Sequence, residues 1–360
     1  MTGDTRSGPI SSADQETRES ESLKAPYPPS IVDRYLAWVE RQPTPTVAFY
    51  VLVFVVLGLL ANAVTWVGDP GSIGSIDVYR TSLPFYVVFP LALMHYLNAV
   101  ARRALERFRP ALAVSDDRYA RFEYELTTLP VAGTWAVLAG SLVFTVAFSA
   151  FTPSLAEALT DAPWVAVFDV ALYVLVFGAI GVFLYHTFRQ LRSVSRIHAA
   201  TTTVNLFQPA PLYAFSWLTA RTGMGLLVLN AYSILTDPAT FVNPALLGLV
   251  IFAWIVAGAA FVLPLRGIHR LIVLEKRRLL ADVNERLEAT IRQLYGGAER
   301  QPLSGMDQLN QLLAGLLMTR DLVSKLPSWP WDAGAFTRFV STAVLPIAAA
   351  ALSASGQWLA

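Results

Sequence analysis

No cysteine occurs in the chain, which excludes disulfides, thiolate metal sites and cysteine nucleophiles together. Histidine is scarce as well. His95, His186, His198 and His269 have no metal-ligand spacing between them and no carboxylate cluster joins them, so no metal site is expected. Charge is in short supply. Asp, Glu, Lys and Arg make up 15% of the chain, where a soluble domain carries roughly 25%. The net charge is +1, and the basic residues cluster at the ends of apolar runs instead of forming a face for nucleic acid. Also missing are GxxxxGK[ST], GxSxG, HExxH and GxGxxG. Without a phosphate cradle, a nucleophile elbow or a zinc pair, no catalytic residue and no cofactor is expected, and the chain reads as a non-enzyme.

What the chain has instead is apolar length. About 20 apolar residues carry a helix across the hydrocarbon core. Seven segments approach that test, roughly 46–67, 82–100, 129–151, 163–187, 212–235, 245–265 and 334–354. The seventh is the weakest, because it is rich in mildly apolar alanine and contains Pro346. Pro84 and Pro90 predict a kink in the second, which a membrane bundle tolerates because neighbouring helices satisfy the freed carbonyls.

Basic residues then predict orientation. Arg102, Arg103, Arg107, Arg109, Arg118 and Arg121 follow span two, Arg189, Arg192 and Arg196 follow span four, and Arg266, Arg270, Lys276, Arg277 and Arg278 follow span six. The alternate loops hold Arg80 alone among basic residues and carry Asp69, Asp77, Glu157, Asp161 and Asp237. This asymmetry predicts a multi-pass protein of the cell membrane with a cytoplasmic N-terminus and an outer C-terminus. Trp66, Trp164 and Trp358 fall at predicted outer ends and Trp329 and Trp331 at an inner one, the headgroup level that indole rings favour.

Outside the spans, residues 1–24 are polar and lack the basic start and apolar run of a secretory signal; they read as a disordered tail. Ser30 with Asp33 predicts a capped amphipathic helix over 30–41, with Ile31, Tyr35, Trp38 and Val39 on its apolar side. Tyr119, Phe122, Leu126 and Leu129 predict a similar helix in the loop 101–128. Span six continues past Pro264 into a charged helix whose stripe runs through Ile272, Leu279, Val283, Leu287, Ile291 and Leu294, ending at Gly296 and Gly297. A second stripe follows at Leu309, Leu312, Leu313, Leu316, Leu317 and Val323. Together they predict a cytoplasmic helical hairpin. Its stripes are either its own core or a seam with a second copy or a cytoplasmic protein through 266–326, and its continuity with span six would let it transmit motion.

Two charges fall within predicted spans: Asp169 in span four and Arg221 in span five. Burying a charge in a bilayer costs roughly 2.5–3.5 kcal/mol on insertion scales. Two readings stand for them, an ion pair or polar path through the bundle, and separate snorkelling to the nearer headgroups. His95, Asn62, Asn98 and Asn230 are further intramembrane polar groups, expected to make interhelical hydrogen bonds worth about 0.6 kcal/mol each. Arg189, Arg192 and Arg196 lie on one helix face and are expected to meet lipid headgroups. Ala136 with Gly140 in span three, and Ala253 with Ala257 in span six, are spaced for close helix contact.

The stretch NLFQPAPLYAFSWLTARTG (205–223), with GIHRLIVLEKRRLL and LPSWPWD further on, resembles an uncharacterised family of prokaryotic polytopic membrane proteins. The resemblance covers about the second half of the chain and implies no activity, substrate or residue role; it draws attention to Asn205, Pro209, Pro211 and Arg221.

The expectation is therefore an all-α polytopic membrane bundle of about seven transmembrane helices with a cytoplasmic helical hairpin. Its divisions are a polar tail (1–29), spans one to six (30–265), the hairpin (266–332) and a seventh span with the C-terminus (333–360). The expected function is that of a membrane-embedded sensor or scaffold acting through the hairpin. The alternative is an ion channel or small-solute transporter with a polar path near Asp169 and Arg221.

Overall fold

The computed structural model describes residues 25–68, 70–150, 163–200, 205–236, 244–297, 304–331, 333–345, 347–348 and 351. Residues 1–24 of the polar tail, Asp69, the third and fifth loops, Trp358 and most of the chain after 345 therefore lie outside the described residues. The helices, in chain order, are α1 (Ile31–Glu40), α2 (Thr46–Gly68), α3 (Val78–Ser82), α4 (Phe85–Phe108), α5 (Asp116–Thr127), α6 (Val131–Ala150), α7 (Pro163–Ala199), α8 (Pro209–Leu212), α9 (Ser216–Thr236), α10 (Pro244–Val262), α11 (Arg266–Gly297), α12 (Ser304–Lys325) and α13 (Ala333–Ala343). Among the described residues there is no strand; an isolated antiparallel bridge joins Pro29 and Pro130.

Six helical stretches are long and apolar enough to cross a membrane: Thr46–Val67, Val78–Ala111, Val131–Ala150, Pro163–Ala199, Ala210–Thr236 and Val250–Tyr295. They match the first six predicted spans. Their outer surfaces are apolar: Val51, Leu52 and Leu59 on α2, Val143, Phe144 and Val146 on α6, and Ile251, Phe252 and Ile255 on α10 are all exposed. A water-soluble monomer does not leave so much contiguous apolar surface bare, whereas in a bilayer lipid tails cover it and the helices satisfy their own backbone groups. The chain is a multi-pass membrane protein. In the seventh predicted segment the structure describes the eleven residues of α13 and a few positions beyond, so among the described residues no helix of spanning length occurs there.

The chain divides into two compact units, the first formed by Met1–Ile76, Leu83–Ala92 and Val114–His186, the second by Asp77–Ser82, Leu93–Ala113 and Thr187–Ala360.

In the first unit, α1 starts on the predicted capping box. Ser30 Oγ accepts from Asp33 N at 3.2 Å, and Asp33 Oδ2 accepts from Ser30 N at 3.0 Å. The same carboxylate oxygen also accepts from Leu129 N at 3.0 Å, tying α1 to the start of α6. Around it, Ser30 N donates to Leu129 O at 3.1 Å, Tyr27 Oη to Thr128 O at 2.9 Å and Tyr124 Oη to Tyr27 O at 2.6 Å. Burial and then the nearby Asp33 carboxylate push the Tyr124 phenol above its usual range, so it stays a donor at ordinary pH. The buried side of α1 is Leu36 and Val39, with Ile31 and Trp38 exposed. Of the predicted apolar side, then, the described residues bury Val39 and leave Ile31 and Trp38 exposed.

Helices α6 and α7 meet through small residues, though not the predicted ones. A Cβ on Gly140 would meet nothing within 4 Å, and Ala136 is exposed. The close approaches are at Gly133, against the Tyr185 ring, and Gly181, against Ser141, with Leu138 3.5 Å from a Cβ on Gly178. Small-residue spacing recurs on several faces of so alanine-rich a helix. The face that packs is the one offering Phe144 and Phe148, whose rings lie 4.9 and 5.2 Å from that of Phe177.

In the second unit α9 is the central helix, with Leu218, Ala220, Leu227 and Ile234 buried. Gly223 allows a close backbone approach to α10, since a Cβ there would lie 3.0 Å from Ala257 O and 2.6 Å from Phe339 Cε2. This bears out the predicted contact at Ala257. Leu93 packs on Gly225. Pro84 precedes α4 and separates it from α3, while Pro90 sits inside α4, which continues through it.

Candidate functional site

The intramembrane polar residues mostly find local partners. Asn62 Nδ2 donates to Gly58 O of its own helix at 2.9 Å. Trp254 Nε1 donates to Asn230 Oδ1 at 3.2 Å, linking α10 to α9, and Gln190 Nε2 donates to Asn98 Oδ1 at 3.4 Å, linking α7 to α4. These are the interhelical bonds expected for Asn98 and Asn230. Buried Ser216, Thr219 and Thr222 donate back to carbonyls of their own segment at 2.7, 3.0 and 2.9 Å. Asp169 is half-buried in the part of α7 that belongs to the first unit, and His95 is half-buried on α4 in the second. Arg221, in the second unit, places its guanidinium 5.4 Å from the centroids of both the Tyr96 and Trp217 rings. Of the basic stripe at the end of α7, Arg192 and Arg196 are exposed and Arg189 half-buried. No group of three or more His, Asp or Glu that could hold a metal occurs among the described residues.

The densest construction lies where α10 passes into α11. Pro264 lacks an N–H and cannot continue an α-helical ladder. The chain takes a single 3-10 turn at Leu263–Leu265 and then resumes as helix. His198 grips this turn. Its Nδ1 lies 3.1 Å from Pro264 O; a carbonyl only accepts, so Nδ1 carries the proton. The ring makes edge contacts with Phe108 and Phe215, both at 5.4 Å, and those two rings meet at 5.3 Å. His198, Phe108, Phe215, Leu265 and Ile268 are fully buried.

Just beyond, five rings stack in series. His269 of α11 stacks on Trp329 at 3.9 Å, Trp329 on Trp331 at 4.5 Å, Trp331 on Phe261 of α10 at 5.2 Å, and Phe261 on Phe339 of α13 at 4.3 Å, all within 18° of parallel. His269 Nδ1 also donates to Ser328 O at 2.7 Å. Two turns of α11 further on, Lys276 Nζ donates to Ser324 O at 2.6 Å and Leu326 O at 2.7 Å. That closes the C-terminal end of α12, where helix carbonyls lack partners and favour a cation. Helices α11 and α12 pack as the predicted hairpin, with Ile272, Val283, Leu287 and Val323 buried. Ile291, Leu312 and Leu317 of the two stripes are exposed, as are Met318 and Leu322.

Sequence reasoning missed the contacts of His198, Gln190 and Lys276 and the ring stack. LPSWPWD was visible as an aromatic cluster at a helix start, but its partners Phe261 and His269 lie at a distance in sequence that no local pattern reports. Chemically, the arrangement holds positions. Elsewhere among the described residues, a cavity at Pro110, Ala111, Asn205, Gln208, Pro211 and Leu212 is about 60 Å³, where small-molecule sites take roughly 300–1,000 Å³. Asn205 Oδ1 there accepts from Phe207 N at 3.0 Å, a turn-forming role. No protein-family model, no curated protein and no solved structure matches the chain.

Proposed function

We propose that this membrane protein is a scaffold or sensor whose working part is the α11–α12 hairpin. One observation carries the reading. The hairpin's base is fastened to the apolar helices α10 and α13 by the stack His269–Trp329–Trp331–Phe261–Phe339. A ring series of this kind is rigid, each pair contributing about 0.5–1.5 kcal/mol beyond burial. A shift of α10 within the membrane therefore moves the hairpin, and a partner on the hairpin is felt at α10. The basic segments 101–128, 188–211 and 266–332 face the cytoplasm of the cell in this account, with the N-terminus on the same side. The protein does no chemistry of its own.

The hairpin's partner is a cytoplasmic protein or a second copy. Leu312, Met318 and Leu322 of α12 are exposed, and apolar side chains left bare on a helix of a charged hairpin are what a helical partner covers. Because the chain has no cysteine, single cysteines or photo-reactive residues introduced at these positions are unique probes. Cross-linking in intact cells is expected to capture one discrete adduct from Leu312 and Leu322 and none from exposed Arg286 on α11. Uniform, diffuse labelling from all three positions would refute the reading.

A further inference from the structure

We propose that Arg221 and Arg338 form a binding site for the phosphate of an anionic phospholipid, seated on the Trp217 and Tyr96 rings. This inference does not depend on the role given to the hairpin. Two guanidiniums share one indole: the Arg221 Cζ is 5.4 Å and the Arg338 Cζ 5.0 Å from the Trp217 centroid, and Arg221 is also 5.4 Å from the Tyr96 centroid. Among the described residues neither arginine makes an ion pair. Ring faces attract a cation without neutralising it, so two like charges gather on an apolar helix bundle with no counter-charge paired to them among the described residues. An isolated cation at membrane depth is costly and is normally paired. The arrangement is complete once an anion joins it.

The anion's class follows from the donors and their surroundings. A guanidinium presents a planar fork that matches the oxygens of a phosphate. Arg221 lies in the second turn of α9 and Arg338 in the second turn of α13, close to helix ends, where headgroups lie. Trp217 is wedged against Ala220, Phe261 and Ala335, so the platform under both arginines is fixed. In that same cluster the buried Trp331 Nε1 has no hydrogen-bond partner among the described residues, leaving a further donor unused. Beside Arg221, Tyr96 is exposed and offers apolar surface for an acyl chain. A free phosphate would use the guanidiniums and leave that surface bare, which is why the lipid is the favoured source.

The test uses the full-length protein in phosphatidylcholine nanodiscs with phosphatidylglycerol titrated in, binding being read by native mass spectrometry and by thermal stability. Wild type is expected to retain phosphatidylglycerol saturably and gain stability. R221Q/R338Q should weaken retention by roughly thirtyfold, from about a factor of five per basic residue at a membrane surface. R338Q alone, at an exposed position where substitution leaves folding intact, should weaken it about fivefold, and R221K/R338K should restore it in part. As a reference, R286Q, on the exposed and ion-paired part of α11, should leave retention unchanged. Undiminished retention in both R338Q and the double variant overturns the proposal. Full competition by inorganic phosphate at equal concentration would assign the site to free phosphate and overturn the lipid as its ligand.

Discussion

Lys276 offers a sharp way to loosen the hairpin without touching its apolar core. Its ammonium donates to Ser324 O and Leu326 O at 2.6 and 2.7 Å, at the carbonyl end of α12. Lys276→Met keeps the length and apolar stem of the side chain and removes both bonds. A hydrogen bond to a charged group contributes about 1.5–3 kcal/mol when sheltered, and a cation at a helix C-terminus about 0.3–1 kcal/mol at an exposed site. Lys276 is half-buried and one of its two bonds is exposed to solvent, so a discounted total of about 1–2 kcal/mol is appropriate. At roughly 1.4 kcal/mol per factor of ten, the open hairpin becomes about five to thirty times more populated. Native-state hydrogen exchange measures this directly, because amides of a locally opening segment exchange in proportion to its open population. Faster exchange is expected in α12 and the facing part of α11, with α9 and α10 unchanged, and Lys276→Arg should recover part of the protection. Unchanged exchange in α12 would refute the reasoning, as would acceleration spread evenly over the whole protein.

Other consequences follow from the same contacts. Asp33→Ala removes a carboxylate that receives bonds from Ser30 and Leu129; a loss of about 2 kcal/mol is expected, seen as protease sensitivity within 27–41 before any global unfolding. Gly223→Ala forces a methyl against Ala257 O at 3.0 Å and should lower thermal stability by about 1–3 kcal/mol, whereas Gly140→Ala, with open space around it, should be neutral or gain up to about 1 kcal/mol in helix propensity. If the protein is a scaffold, proteoliposomes holding wild type and those holding the Asp169→Asn, Arg221→Gln variant should show the same background ion and solute flux; flux that the variant abolishes would favour a channel or transporter.

Much of the fold could be read from the chain because membrane helices are specified locally. A run such as that of α2 or α10 is apolar all round, and its length alone predicts a span. The capping box at Ser30 and Asp33 is equally local. What could not be read depends on which face meets which neighbour. Ala136 and Gly140 satisfy the spacing for close packing, yet Gly133, Gly178 and Gly181 make the contact, because only the three-dimensional pairing of α6 with α7 chooses among equivalent small faces. Ile31 and Trp38 satisfy helical periodicity, which reports an apolar side without saying whether protein or lipid covers it. At the candidate site, Asn230 and Arg221 stood out as polar residues in apolar runs, but their partners Trp254, Tyr96 and Trp217 did not. His198 looked idle while only metal spacing was considered; its use is to hold the turn at Pro264, 66 residues away in sequence.

The central claim is that the hairpin is the part of the protein that engages a partner. Replacing 280–324 with a short flexible linker, and comparing native complexes of the full-length and shortened proteins extracted from the same membranes, tests it most directly. The account predicts that the shortened protein still inserts and folds, judged by unchanged protection of α9, but migrates without the larger complex formed by the full-length chain. An identical complex formed without the hairpin would contradict it.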